Sequence, residues 1–371
     1  MADILILGGT GYAGRLIARY LLEFSEANVT IAARRGDQAQ HFAEELNRKY
    51  SGHRAKAVHA DAANADSLSS AFKGHRLALV AAPTTAHAAI VIRAALDVGV
   101  DYLDIQLSSP KTALLQSLAG EIEQNNKIFI TEAGFHPGLP SVQIRYAATQ
   151  LDRIETAIST GYLNFGKSLP YTEAVYELID AFKNYQGQVF RNGQWTKPDS
   201  VDIRKFDFGS DIGWKRCYSM FFEELQLLPQ MLPSLAETGF YVSESHWVND
   251  WIIMPLTWMW LKILPHSVRP IGKLLWWGMG TFHKPPYRLE LQVHASGLKN
   301  GRKINVRSIV THTDGYELTA IPVVATLLQY LDGAFRKPGL WMMGHVVEPV
   351  RFMADLEAMG AHCSISSEPA E

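Results

Sequence analysis

The sequence predicts an α/β protein: a doubly wound parallel sheet, then a second α+β domain with a mixed sheet and an aromatic-rich helical insertion. Three observations predict it. Short apolar runs alternate with amphipathic stretches between residues 4 and 131. A glycine-rich turn joins the first run to the first amphipathic stretch. Near Arg153 the alternation stops, and period-two runs joined by an Asn-Gly turn at 192–193 and by the loop 297–301 take over.

The first strand is Ile4-Leu5-Ile6-Leu7, apolar throughout as a buried parallel strand should be. Gly8-Gly9-Thr10-Gly11-Tyr12-Ala13-Gly14 follows, and then a helix with Leu16, Ile17, Tyr20, Leu21 and Phe24 at helical spacing. Strand, glycine turn and helix are the context of the dinucleotide fingerprint, so the first sheet is read as a Rossmann domain. Gly9 is expected at the tight turn, Gly11 where a pyrophosphate approaches the backbone, and Gly14 where helix and strand pack closely. The helix N-terminus offers its partial positive charge to the phosphates.

The second strand, 29–33, ends in Arg34-Arg35. An NAD site would place an acid there for the ribose 2′-hydroxyl. A guanidinium instead pairs with a 2′-phosphate, so NADP(H) is the expected cofactor. The plainer alternative is a solvated helix start. Further elements are a helix at 39–50, a strand at 55–60 ending in Asp61-Ala62, a helix at 63–72 and a strand at 76–82 ending at Pro83. Asp61 and Ala62 are candidates for the adenine end, Ala82 and Pro83 for the nicotinamide end. A helix at 85–98 closes on Gly99. A strand at 101–105, a helix at 110–125 and a strand at 127–131 complete the alternation.

Composition bounds the rest. The 371 residues suit two domains. With 47% hydrophobic and 19% charged residues the chain is of the folded, soluble type. A net charge of −2 gives no pull toward nucleic acid. Two cysteines make neither a disulfide framework nor a zinc pattern, and no metal site is expected. Met1-Ala2-Asp3 lacks the basic start of a signal peptide. The longest apolar run, 251–261, is broken by Pro255, whereas a spanning helix needs about 20 apolar residues. A cytoplasmic location is expected, with membrane association left open.

A second motif, Thr131-Glu132-Ala133-Gly134-Phe135-His136-Pro137-Gly138-Leu139-Pro140, joins the glycine loop and Val98-Gly99-Val100-Asp101-Tyr102-Leu103-Asp104. Together they resemble the saccharopine dehydrogenase-like family over roughly residues 3 to 145. The resemblance implies NADP-linked oxidoreduction. His136 stands where that family usually has Asp. A histidine can donate or accept a proton near neutral pH, which makes His136 a candidate catalytic residue. The blander role is a loop histidine bonded to the backbone. Amino-acid-forming members bind charged substrates with clustered basic residues. Here Lys167, Arg191 and Arg204 are spread over different segments.

In the second half, 154–162 reads as a strand and 171–185 as a helix. Residues 188–195 form a hairpin around Asn192-Gly193. The runs 287–296 and 302–311 form another, joined by 297–301. Between the hairpins, 247–282 carries six of the nine tryptophans: Trp247, Trp251, Trp258, Trp260, Trp276 and Trp277. Lys262, His266, Arg269 and Lys273 accompany them, and Asp250 is its only acid. Three readings stay open: an interior core, an apolar surface for a lipid-like substrate or a membrane interface, and an oligomer contact. Trans-acting enoyl reductases of the same family carry an aromatic-rich middle of similar character. That likeness implies a greasy substrate.

Toward the end, Pro322 is expected in the first turn of a helix at 323–331. Tyr316, just before it, is a candidate proton donor; the plainer role is a core tyrosine. Residues 338–341 read as a break, 349–359 as a helix, and 364–371 as a frayed tail. No Tyr-x-x-x-Lys pair follows the nucleotide domain, which argues against short-chain dehydrogenase chemistry.

The expected domains are 1–135 for the dinucleotide, with 340–371 packing back on it, and 136–339 for substrate and dimerisation. The expected function is NADP(H)-dependent hydride transfer to an apolar or lipid-like enoyl C=C. One alternative is a saccharopine-type, imine-reducing dehydrogenase. Another is a catalytically silent, membrane-associated NADPH-binding protein. Expected partners are a small lipid-like substrate, a second copy in a homodimer, and a membrane surface through 247–282.

Overall fold

A computed structural model describes residues 3–165, 187–197, 201–264 and 267–370. The helix expected at 171–185 and Lys167 lie outside the described residues. The chain divides into two compact units: Met1–Leu139 with Tyr316–Asp355, and Pro140–Gly315 with Leu356–Glu371.

The first unit is built on a seven-stranded parallel sheet. Its strands are β1 (Asp3–Leu7), β2 (Asn28–Ala33), β3 (Ala55–His59), β4 (Leu77–Val80), β5 (Asp101–Asp104), β6 (Ile128–Thr131) and β15 (Gly339–Met342). Their order is β15-β6-β5-β4-β1-β2-β3. The order reverses between β1 and β4, so the ligand crevice of this fold lies at their carboxyl ends. Ile4, Leu5 and Ile6 of β1, and all of β4, are wholly buried. That is why these runs are apolar without alternation.

Helices fill the crossovers: α1 (Tyr12–Phe24), α2 (Gly36–Lys49), α3 (Ala65–Phe72), α4 (Ala88–Val98), α5 (Ser109–Ser117) and α6 (Ala119–Gln124). α1 buries Ile17, Ala18, Leu21 and Leu22. Asn64 caps α3 by accepting the Ser67 N–H at 2.9 Å. α4 ends on Gly99, whose φ of 72° lets its N–H reach Ala95 and Leu96 carbonyls. The single helix expected at 110–125 is two helices, broken at Leu118, where φ is −98° and ψ is 0°.

Residues 338–341 are not a plain break: Gly339 opens β15, which pairs in parallel with β6. The helix expected from 323 is much longer. It is α10 (Gly315–Asp332), with Pro322 inside it. An interior proline costs about 3 kcal/mol. Leu318 and Ile321 upstream are fully buried, at about 1.5 to 3 kcal/mol each, and that burial offsets the proline.

The second unit is a nine-stranded mixed sheet. Its strands are β7 (Arg153–Leu163), β8 (Val189–Arg191), β9 (Gln194–Thr196), β10 (Ile203–Asp207), β11 (Trp214–Met220), β12 (Glu237–Ser243), β13 (Leu289–Lys299), β14 (Arg302–His312) and β16 (His362–Pro369). The main path runs β10-β11-β12-β7-β13-β14-β16, with β8 on β12 and β9 on β8. Among the described residues only the β7–β12 pair is parallel. α7 (Leu139–Ala148) precedes the sheet. Asn192-Gly193 and Asn300-Gly301 turn the two hairpins, all four residues with φ between 50° and 76°. This left-handed backbone is the reason for Asn-Gly at both turns. The second loop is therefore two residues, not the five of 297–301.

The final stretch departs from expectation. α11 (Pro349–Ala358) forms as read. Residues 364–371 do not fray: β16 pairs antiparallel with β14 from Thr311↔His362 to Ile304↔Pro369. The carboxyl-terminal part thus splits. Tyr316–Asp355 belongs to the first unit and Leu356–Glu371 to the second.

The insertion folds as a helical hairpin of α8 (Met254–Ile263) and α9 (Val268–Phe282), entered through a π-helical turn, Asn249–Ile253. Ile253 and Leu275 make its small core, with Leu261, Trp276 and Phe282 packed against them. Five of the six tryptophans are exposed. The interior-core reading of these indoles is therefore corrected.

Candidate dinucleotide site

The glycine loop leaves β1 at its carboxyl end. Gly8 has φ of 85°, and a Cβ there would fall 2.6 Å from the Ala82 Cβ. The left-handed turn therefore sits at Gly8, one residue before the expected Gly9. Gly9 is limited by contact instead: its Cβ would lie 3.0 Å from the Ile31 side chain and the Ile6 carbonyl. A Cβ on Gly14 would meet the Gly8 carbonyl at 2.3 Å. Gly14 thus holds helix α1 against the loop. Gly11 is different, with only the Gly8 carbonyl near it, at 3.2 Å. It occupies the N-cap of α1, and no side chain caps that helix. Thr10, Tyr12 and Ala13 complete the turn, and Tyr12 is 56% exposed. An anion can approach such an uncapped helix start.

Arg34 and Arg35 follow β2 and are both exposed. Neither guanidinium makes an ion pair or hydrogen bond among the described residues. Asp61 follows β3 and spends Oδ1 on the Ala63 N–H at 3.1 Å, a local turn. Ala62 is buried behind it. Ala82 and Pro83 follow β4. The Ala82 carbonyl accepts from Gln106 Nε2 at 2.7 Å, and Gln106 also donates to Thr84 Oγ1 at 3.0 Å.

Gln106 belongs to a buried cluster that sequence reading missed. Lys111 and Asp104, both wholly buried, pair at 2.5 Å. Lys111 Nζ also donates to the Gln106 carbonyl at 2.6 Å and to Thr131 Oγ1 at 2.7 Å. Thr131 Oγ1 donates to the other Asp104 oxygen at 2.9 Å. Glu132 next to it is buried, accepts from Thr112 Oγ1 at 3.1 Å, and has φ of 55°. A non-glycine residue in that region is strained and marks a constrained site. The cluster ties the carboxyl ends of β4, β5 and β6 together. One signal was available: an acid at a strand end seven residues before a lysine in the first turn of a helix.

The loop after β6 carries His136. Gly138, with φ of 118°, is packed so tightly that a Cβ would meet the Glu132 carbonyl at 2.7 Å. Phe135 meets the His136 ring edge-on at 4.5 Å. His136 is partly accessible, yet the packing around it pushes its imidazole down to about 4. The shift favours the neutral imidazole, which can accept a proton or donate one N–H hydrogen bond.

Tyr316 opens α10. Its ring stacks on Tyr12 at 5.1 Å and 19°, beside the glycine loop. One turn on, Thr319 lies 3.7 Å from the Cβ position of Gly134. The start of α10 therefore touches both the glycine loop and the His136 loop.

Residues 4–130 match the model of the family described as saccharopine dehydrogenase NADP binding domain. Apo histidine-tagged saccharopine dehydrogenase (L-Glu forming) from Saccharomyces cerevisiae has the same fold. Its TM-score is 0.70 at 14% identity, over 99% of this chain and 100% of that chain. A meso-DAPDH variant with DAP from Clostridium tetani E88 is more distant, with a TM-score of 0.46 and 12% identity over 95% and 96%. No curated protein matches the chain in sequence. Nucleotide domain and fold together define an NAD(P)-dependent oxidoreductase. More particularly, the chain carries the NADP-binding domain of saccharopine dehydrogenase-like proteins, and NADP(H) is its cofactor. The residues present fit that group: a loop that admits no Cβ at Gly8 or Gly14, an uncapped helix start, and two exposed arginines after β2.

Proposed function

We propose that the protein reduces the C=C bond of an uncharged, lipid-like enoyl substrate. The bound cofactor supplies the hydride. Gly11 and the start of α1 would hold its pyrophosphate, and Arg34 and Arg35 the 2′-phosphate. Asp61 and Ala62 would border the adenine, and Ala82 and Pro83 the nicotinamide. Reduction places negative charge on the substrate carbonyl oxygen. The neutral His136 ring donates its N–H to that oxygen, and Tyr316 Oη gives a proton to the α-carbon once the β-carbon has taken the hydride.

The observation that carries the uncharged substrate is electrostatic. In the second unit Arg191 and Arg204 both pair with Asp202 and Glu237. Arg216 pairs with Glu244, and Arg288 with Glu290. These four arginines are each paired with an acid, which favours a substrate without charged groups over an amino acid. The exposed indoles of α8 and α9 support an apolar substrate. The test is oxidation of NADPH by a long-chain 2-enoyl thioester, beside an amino acid mixed with a 2-oxo acid. Turnover of the thioester is expected. Turnover of the amino-acid mixture alone, or of neither, overturns the reading.

A further inference from the structure

The helical hairpin of α8 and α9 presents an apolar surface that its own packing leaves uncovered. From Asn249 to Ile263 only Asn249, Ile253 and Thr257 are buried. These are one stripe at four-residue spacing. The rest of the circumference is open and apolar: Trp251 is 61% exposed, Trp258 50%, Trp260 47% and Ile263 70%. α9 adds Leu274 and Trp277 at 37% and 54%. A helix apolar all round belongs in an apolar medium. Among the described residues only one side of this helix is covered.

Charge says which medium. No acid occurs between residues 251 and 289, and Lys262, Arg269 and Lys273 stand among the indoles. Lys262, Arg269 and Lys273 are all exposed. Lysine and arginine stems lie along apolar surface while their heads reach anionic groups. Indoles settle where an apolar ring and a polar N–H are both satisfied, at the headgroup level of a bilayer. A single protein face covers one side of a helix; acyl chains and headgroups surround it. No helix among the described residues is long and apolar enough to cross a membrane. The 15 residues from 249 to 263 span about 22 Å, short of a hydrocarbon core of about 30 Å.

We infer that the α8–α9 hairpin docks the protein onto the surface of an anionic lipid bilayer, lying within the interface. The docking does not depend on which substrate is reduced, and its test reads binding rather than turnover. The full chain is floated with vesicles of phosphatidylcholine alone and of phosphatidylcholine mixed with phosphatidylglycerol. Wild type is expected to float with the anionic vesicles and to release at high salt. The W258S/W260S variant should lose about tenfold in bound fraction, and K262E/K273E should lose the preference for anionic lipid. Both should keep wild-type NADPH affinity, since the substituted side chains are exposed and outside the nucleotide unit. Wild type that fails to float with either vesicle overturns the inference. So does a wild-type dimer that W258S/W260S splits while neither protein floats, because a second copy then covers the hairpin.

Discussion

Arg34, Arg35, His136 and Lys111 each separate a physical role from a residue type. The two arginines carry no partner among the described residues, so their charge is available to a phosphate. Replacing one by Glu removes a charge-assisted pair and adds repulsion, on the order of 2 kcal/mol. NADPH affinity of R34E/R35E should fall about thirtyfold or more, with NADH affinity nearly unchanged, by fluorescence titration. Equal losses would remove the 2′-phosphate assignment. For His136, a pKa of about 4 predicts a kcat/KM profile without a histidine limb between about pH 5 and 8. A limb near 6.5 would mean that the packing around the ring does not lower its pKa. His136→Ala should lower kcat about a hundredfold, the scale of one lost oxyanion donor, and leave NADPH affinity intact. Lys111→Met strands Asp104 as an unpaired buried charge, a loss of about 3 to 5 kcal/mol. Urea unfolding should report it, and removing the Asp104 charge as well should restore part.

At the scale of the element, the glycine loop is where one motif hides two kinds of constraint. Gly14 packs against the backbone of Gly8 at a distance no Cβ tolerates. Gly11 has open space and one carbonyl nearby. Gly14→Ala should therefore destabilise the first unit by about 1 to 3 kcal/mol even without cofactor. Gly11→Ala should leave the apo protein's melting midpoint nearly unchanged and weaken NADPH. A calorimetric scan with a cofactor titration of both variants distinguishes them; identical behaviour would sink the distinction. The sequence made the glycine loop legible as a whole, because spacing and flanks both fit. It did not tell which glycine turns and which packs, since Ala82, after β4, and Ile31, in β2, approach from elsewhere in the chain. β15 and β16 were missed for a related reason. β15 is a four-residue edge strand opened by Pro-Gly, and β16 is a mostly exposed, serine-rich one. Edge strands of that kind are held by backbone pairing and carry little apolar pattern.

For the whole molecule, buried ionisable groups in both units link stability to pH. His136 in the first unit and His294 in the second are both pushed down to about 4 by burial. Unfolded histidine titrates near 6.5. Between those values the unfolded chain takes up the protons and the folded chain does not. Stability should therefore fall as pH drops from about 6.5 to 4, on the order of 1 kcal/mol per pH unit for each histidine. Asp250, pushed up to about 6, binds its proton earlier in the folded state and opposes part of that loss. A denaturant midpoint that rises on acidification to pH 4.5 would contradict the balance.

The sequence by itself determined six of the seven parallel strands, most of the crossover helices, the Asn192-Gly193 hairpin and the place of the dinucleotide loop. These follow from local periodicity and from turn chemistry that only glycine and asparagine satisfy. The family resemblance extended this to NADP-linked oxidoreduction. Only the tertiary structure decided three further things. It neutralised His136, because desolvation depends on atoms packed from elsewhere in the chain. It assembled Asp104, Gln106, Lys111 and Thr131 into one buried cluster at the strand ends. It turned the tryptophans outward, because a helix apolar on every side has no pattern from which to read its buried stripe, and that stripe is set by the helix packed against it.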